Sequence, residues 1–336
     1  MGEETLPPHT LNTIVAIRTT IGDQGKGQLS ASVIISTWRR KTALRKLLFS
    51  IARQRECPPF EVVVVDSHSA DGTARTIKSF CRRVFAVQYI HTVNALAAKR
   101  NAGARIASYS LLLFLDDDLL LEDQFSLGAI IREAGDEKAP VCFRVQYPAA
   151  WCERSTYYRF KQLGHDLTNF GPRALPMFRF VAMAFCIGRD QYWRVGGFSE
   201  QFCSYGGEDH AFELALRQIG VIPLLSSSAT VLHCEDSRSF SRYRSKLVST
   251  SSGAMATLLR HWPEAYEHTG IQMLETPRIR RLIRITPLWL LQALSLTTAR
   301  LMDLLPGKTS DARLRRAGRA FAASAYLVGM KLRNRT

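Results

Sequence analysis

At 336 residues, with 46% apolar and 22% charged side chains, the chain has the composition of a folded protein, which excludes a disordered or low-complexity polymer. The length suits one large α/β domain and an appendage. The net charge of +16 is uneven: residues 278–336 hold thirteen Lys/Arg against two Asp, or +11, leaving +5 for the first 277.

Seven cysteines form no Cys-x-x-Cys pair and are odd in number, so no disulfide framework is expected. Met1–Thr10 carries two acids, two prolines and no apolar stretch, which predicts a reducing cytoplasmic setting. Residues 1–28 read as an N-terminal extension. Within it, Thr13–Ile17 fits an edge strand. Gly22-Asp23-Gln24-Gly25-Lys26-Gly27 lacks the spacing of a phosphate-binding loop and reads as a linker.

From Ala31 the pattern becomes regular. Ser32–Ser36 is a short apolar strand, and Leu44–Gln54 has helical spacing through Leu47, Leu48 and Ile51. Phe60–Val65 is a β-branched run of the kind found in parallel strands covered on both faces, closed by Asp66. A turn over 67–73, a helix over 74–81, a strand over 84–90, an alanine-rich helix over 94–108 and a strand over 111–115 follow. This alternation predicts a mostly parallel, doubly wound sheet, whose ligands sit outside the carboxyl ends of its strands. Asp66 and Asp116–Asp118 fall at such ends. Residues 141–181 read as aromatic and irregular (Phe143, Tyr147, Trp151, Tyr157, Phe170 and Phe178 among them), either a sugar-stacking surface for an acceptor or ordinary core.

The basic tail contains a charge-free run, Ile285–Ala299, flanked by Arg280, Arg281, Arg284 and Arg300. As a helix it would extend roughly 22 Å, short of a ~30 Å hydrocarbon core. A second apolar run, Ala320–Met330, is shorter. Basic flanks around short apolar helices predict elements lying in the plane of an anionic membrane surface; a helical lid packed on the catalytic domain is the alternative.

Two segments carry chemistry. Leu113-Phe114-Leu115 runs into Asp116-Asp117-Asp118, more acid than helix capping needs and a fit for a hard divalent cation. Tyr205-Gly206-Gly207-Glu208-Asp209-His210 sets an acid pair behind two glycines, just before a helical pattern over 211–219. A sugar hydroxyl is a poor nucleophile until a carboxylate takes its proton, so Asp209 is the candidate base and Glu208 an orienting or acceptor-binding group. The same acids also suit a helix start on electrostatic grounds alone. His233, after the strand-like Ala229–Leu232, could complete a metal site.

Ser32–Thr37, the pattern Val62–Asp66, Ser69 and Asp71–Thr73, then Arg100-Asn101-Ala102-Gly103, Phe114–Asp118, Gly196-Gly197-Phe198 and Gly206–Asp209 occur in the order found in family 2 glycosyltransferases. The resemblance spans about residues 31–235. It implies the GT-A fold, a nucleotide-sugar donor with UDP-sugars favoured, Mn²⁺ or Mg²⁺, and inversion at the anomeric carbon. By motif it also implies that Thr37, Asp66, Arg100, Asp116 and Asp117 contact the donor, that Asp118, Asp116 and His233 hold the metal, and that Asp209 is the base. The first strand ends Ser36-Thr37-Trp38-Arg39-Arg40 where the family usually has Pro-Thr-Tyr-Asn-Arg, and the Gln-x-x-Arg-Trp signature of processive synthases is missing.

The expected organisation is therefore an extension (1–28), a GT-A catalytic domain (29–240) and a basic, helical, membrane-associating region (241–336). The expected activity is metal-dependent, inverting sugar transfer to a membrane-associated or lipid-linked acceptor, in cell-surface polysaccharide synthesis, on the inner face of the cell membrane. A sugar-nucleotide pyrophosphorylase is the rival within enzymes, although Trp38-Arg39-Arg40-Lys41 lacks the glycines it needs. A nucleic-acid or anionic-surface binding protein is the rival outside them, and it would leave Asp116–Asp118 without a use; no nucleic-acid partner is expected.

Overall fold

The computed structural model describes residues 15–16, 29–81, 87–165, 173–202, 205–235, 239–267 and 271–333. Most of the 1–28 extension with its glycine-rich linker, the start of the 84–90 strand, and Phe170 lie outside them. Strands are β1 (Val15–Ala16), β2 (Ala31–Thr37), β3 (Phe60–Asp66), β4 (Val87–His91), β5 (Leu111–Asp116), β6 (Leu119–Leu120), β7 (Val141–Gln146), β8 (Ala184–Gly188) and β9 (Leu224–His233). Helices of the first two thirds are α1 (Lys41–Ala52), α2 (Thr73–Cys81), α3 (Leu96–Ile106), α4 (Ser126–Asp136), α5 (Ala149–Arg154), α6 (Thr156–His165), α7 (Arg189–Arg194) and α8 (Glu208–Gln218). Beyond them come α9 (Phe240–Ser249), a π turn over Thr250–Ala254, α10 (Met255–His261), α11 (Pro277–Ile285), α12 (Leu288–Asp303) and α13 (Asp311–Arg333).

The strands form one sheet in the order β1-β4-β3-β2-β5-β8-β7-β9-β6. The run β4-β3-β2-β5 is parallel, as the alternation predicted, while β8 is antiparallel to both β5 and β7. Side chains alternate faces along a strand, and the two faces have separate cores. Val33, Ile35, Val62 and Val64 pack with α1, α2 and α4; Ile34, Val63, Val65 and Phe114 pack with α3, α7 and α8. Burial on both faces explains why the middle of β3, Val62–Val65, is continuously apolar. The register aligns the strand ends, with Thr37 opposite Asp66 and Ser36 opposite Asp116. One edge of the sheet thereby gathers residues from three segments. That edge is where the chemistry lies.

Two expectations change. The stretch 141–181 is not irregular: it contains β7, α5 and α6. Tyr147, Tyr157 and Tyr158 are buried in a core shared with Phe240 and Phe321, so these aromatics serve packing. The apolar run 320–330 likewise turns inward: Phe321, Ala325, Val328 and Met330 are buried, and α13 packs on α9 and α12. The run 285–299 is divided between α11 and α12, because Pro287 cannot continue α11 and the axes bend by 108° there. Among the described residues no single helix is long and apolar enough to cross a membrane.

Candidate active site

Asp116 ends β5, and Asp117 and Asp118 form the turn into β6. The three carboxylates take different partners. Asp116 accepts from Arg100 at 3.1 Å. Asp117 accepts from the Thr37 hydroxyl at 2.7 Å and from Arg40 at 2.8 Å. Asp118 accepts from the same Arg40 nitrogen at 2.8 Å and lies 3.4 Å from His233 Nε2. Burial lifts Asp117 to about 6, with Arg40 opposing and Asp118 adding to the rise. Burial also acts to raise Asp118, but His233 and Arg40 outweigh it and hold that carboxyl well below the usual range. Arg40 thus supplies positive charge between two adjacent buried acids.

His233 reaches Asp118 because β9 pairs with β6, placing His233 opposite Leu119. Its other nitrogen is fixed from behind. Tyr147 Oη lies 3.0 Å from His233 Nδ1 and 3.1 Å from Glu235 Oε1, and the Tyr157 hydroxyl donates to the same carboxylate oxygen at 2.9 Å. An ionised Glu235 only accepts, so Tyr147 donates to it and its oxygen accepts from Nδ1–H. That order directs Nε2 toward Asp118.

The glycine-framed acids approach from the other side. Gly206 and Gly207 have φ of +88° and +92°, and a Cβ on Gly207 would meet Phe202 at 2.7 Å. The chain can therefore turn tightly into α8, which begins at Glu208, one turn earlier than the spacing predicted. Both acids sit in its first turn, where the helix dipole favours them. Glu208 is the more enclosed, its side chain 12% exposed against 26% for Asp209. Burial first, then the Asp209 charge, push the Glu208 carboxyl up, with Arg100 opposing.

Arg100 joins the two centres. Its guanidinium contacts Asp116 at 3.1 Å and Glu208 at 3.5 Å, and lies over the Phe198 ring at 4.9 Å. Asn101 fixes that ring by donating to the Phe198 carbonyl at 2.8 Å and accepting from its N–H at 3.0 Å. The Arg-Asn and Gly-Gly-Phe motifs thus form one clasp.

A cleft of ≈ 540 Å³ is lined by Asp116, Arg100, Lys99, Glu208, Asp209 and the two glycines, among others. Asp116 and Asp209 share it. Asp117, Asp118 and His233 do not line it and are each under 10% exposed. Thr37 is buried, its carbonyl accepting from Lys99 at 3.2 Å. Asp66 is wholly buried and accepts from Ser67 N–H, Ser69 N–H, the Ser69 hydroxyl and the Tyr89 hydroxyl, which shape the turn after β3. Among the described residues no three ligating side chains converge: Asp118 and His233 meet, while Asp116 turns to Arg100.

Sequence reasoning missed Lys99, Arg40 as the bridge between acids, the Tyr147–Glu235 pair, and Lys161 and Tyr326 in the cleft wall. Lys99 stands directly before the Arg100 motif, which is the only signal that pointed to it.

Residues 32–193 match the family described as glycosyl transferase family 2. Two validoxylamine A glucosyltransferases, from Streptomyces hygroscopicus subsp. limoneus and subsp. jinggangensis (strain 5008), are 30% and 29% identical over 222 residues, spanning 56% of this chain. The chain covers 48% and 52% of those proteins, about half the length of the curated relatives it matches. Among solved structures, the mannosyltransferase PcManGT from Pyrobaculum calidifontis, in complex with GDP-Man and Mn²⁺, aligns with a TM-score of 0.54 at 19% identity, over 90% of this chain and 86% of that one. Staphylococcus aureus TarS aligns at 0.51 and 15% identity, over 90% and 55%. The shared architecture is the GT-A fold. By the match over residues 32–193, the relatives and the fold, this chain is similar to the family 2 glycosyltransferases.

Proposed function

We propose that the protein transfers a sugar from a nucleotide-sugar donor to an acceptor hydroxyl in one inverting displacement. The observation that carries this reading is the shared cleft: Asp116 at the strand edge and Asp209 at the start of α8 line one cavity, with Arg100 tying Asp116 to Glu208. The acceptor oxygen forms its bond to the anomeric carbon as the bond from that carbon to the diphosphate breaks. Asp209 takes the hydroxyl proton, and the electron pair leaves with the nucleoside diphosphate. Lys99 and Arg100 place two cations beside the path of that leaving group. The names of the relatives, glucosyltransferases and a mannosyltransferase complexed with GDP-Man, support a nucleotide-hexose donor. UDP-sugars remain the first to test, and a membrane-associated or lipid-linked glycan the acceptor class, as in cell-surface polysaccharide synthesis.

Divalent-metal dependence belongs to the same proposal. A carboxylate oxygen and an imidazole nitrogen stand 3.4 Å apart, close enough for both to reach one ion. Asp118 and His233 would hold Mn²⁺ or Mg²⁺ there, and the ion would supply charge neutralisation for the departing diphosphate.

Incubation of the purified chain with a panel of UDP- and GDP-sugars and Mn²⁺ tests the reading, with and without EDTA. Metal-dependent release of free nucleoside diphosphate is expected. Pyrophosphate as product, or no turnover of any donor, would reject it. Tyr147 is a positioning residue in this scheme. Tyr147→Phe is expected to weaken Mn²⁺ binding about 10–100-fold, read by electron paramagnetic resonance titration without donor, because His233 loses the group that orients it.

A further inference from the structure

The surface of α11 and α12 is unlike that of a helix packed on a water-facing domain. Leu291, Ser295, Ala299 and Met302 form the buried stripe of α12, packed on α9 and α13. A helix with one buried stripe normally carries charge on the other side. Here the outward residues include Trp289 (68% exposed), Leu294 (50%), Leu301 (59%) and, just past the helix, Leu304 (77%), with Gln292, Arg300 and Asp303 among the exposed polar groups. On α11, beyond the bend, Leu282 and Ile285 are exposed beside Arg281 and Arg284.

Next to this apolar surface lies a basic cleft of ≈ 910 Å³ between α11 and the end of α13, lined by Arg280, Arg281, Arg284, Lys331 and Arg333, with Glu275 its one acid. Glu275 is taken up by Arg280 and Arg333, and Lys331 donates to the Ile283 and Arg284 carbonyls at the end of α11. Arg281 and Arg284 have no carboxylate partner among the described residues. An apolar face bordered by uncompensated arginines matches one environment, the acyl–headgroup boundary of an anionic bilayer. A second copy of the chain is a poor occupant, because the region's +11 would face itself. A straight span is a poor alternative given the 108° bend and the length of each helix.

We propose that α11 and α12 are an in-plane docking element for an anionic membrane, with Trp289 and Leu294 seated in the acyl boundary and Arg281 and Arg284 among acidic headgroups. The inference deepens the proposed membrane-borne acceptor and rests on it only for its purpose. Tyr326 of α13 lines the catalytic cleft, so the helix that carries α12 also walls the site.

The test is flotation of the full chain with phosphatidylglycerol-containing or pure phosphatidylcholine vesicles, without donor, so that failure leaves the transfer reaction standing. Binding to the anionic vesicles alone is expected, reversed by about 0.5 M salt or alkaline carbonate. Arg281→Glu with Arg284→Glu should weaken it by more than about tenfold. Trp289→Glu with Leu294→Glu should do the same, and both pairs are exposed substitutions whose melting temperature checks the fold. Absence of binding, equal binding to both vesicle types, or retention through carbonate would overturn the proposal. So would self-association abolished by Trp289→Glu/Leu294→Glu without any vesicle binding.

Discussion

Asp209→Asn is expected to lower the rate of transfer by about 10²–10⁴-fold, the range general-base catalysis contributes, while donor binding changes little. The amide keeps the shape of the side chain and can still accept from the His210 N–H, the 2.9 Å contact that Asp209 makes now. What it loses is the capacity to take a proton. Stability should fall only slightly, because one negative charge near the start of a helix is worth roughly 0.3–1 kcal/mol. Glu208→Gln is the necessary comparison. Glu208 is held by Arg100 and is the more buried of the two, so its substitution should disturb acceptor affinity more than turnover. Single-turnover kinetics with saturating donor separates the two effects. A full loss in Glu208→Gln with normal turnover in Asp209→Asn would exchange their roles.

The parts of this site that were legible in the sequence are those in which a local pattern carries the chemistry. An apolar run ending in three acids can be seen without knowing what lies opposite, and so can two glycines ahead of an acid pair. The parallel strands were legible for the same reason, since β3 buries both faces and carries the β-branched run Val62–Val65. What could not be read is pairing at a distance. Arg100 meets Glu208 across 108 positions, Arg40 meets Asp118 across 78, and Tyr147 meets His233 across 86. Nothing in either partner's neighbourhood announces the other. The C-terminal helices show the same limit: the runs 285–299 and 320–330 have similar composition, yet the first buries one stripe while most of the second lies inside. The difference lies in Pro287, and in α13 having α6 and the π turn as well as α9 and α12 to pack against.

That dependence on distant pairing makes Arg100 the most consequential side chain in the fold as well as in the cleft. It is 3% exposed, and its charge offsets two partly buried acids at once. Arg100→Gln should cost about 1.5–3 kcal/mol at pH 7, because it leaves the partly buried Asp116 and Glu208 without the guanidinium shared between them. The cost should depend on pH with a definite sign. Burial already raises both carboxyls above their ordinary values of 3.8 and 4.5, with Arg100 opposing the rise. Removing the opposition raises them further, so the folded variant binds protons that its unfolded chain releases. The deficit relative to the parent should therefore be largest at neutral pH, and should shrink as the pH falls toward about 4.5, where the unfolded carboxyls also protonate. Denaturant unfolding of parent and variant at pH 7.5 and pH 5 measures it. A deficit that grew on acidification, or a loss below about 1 kcal/mol, would mean that the guanidinium does not hold the two centres together.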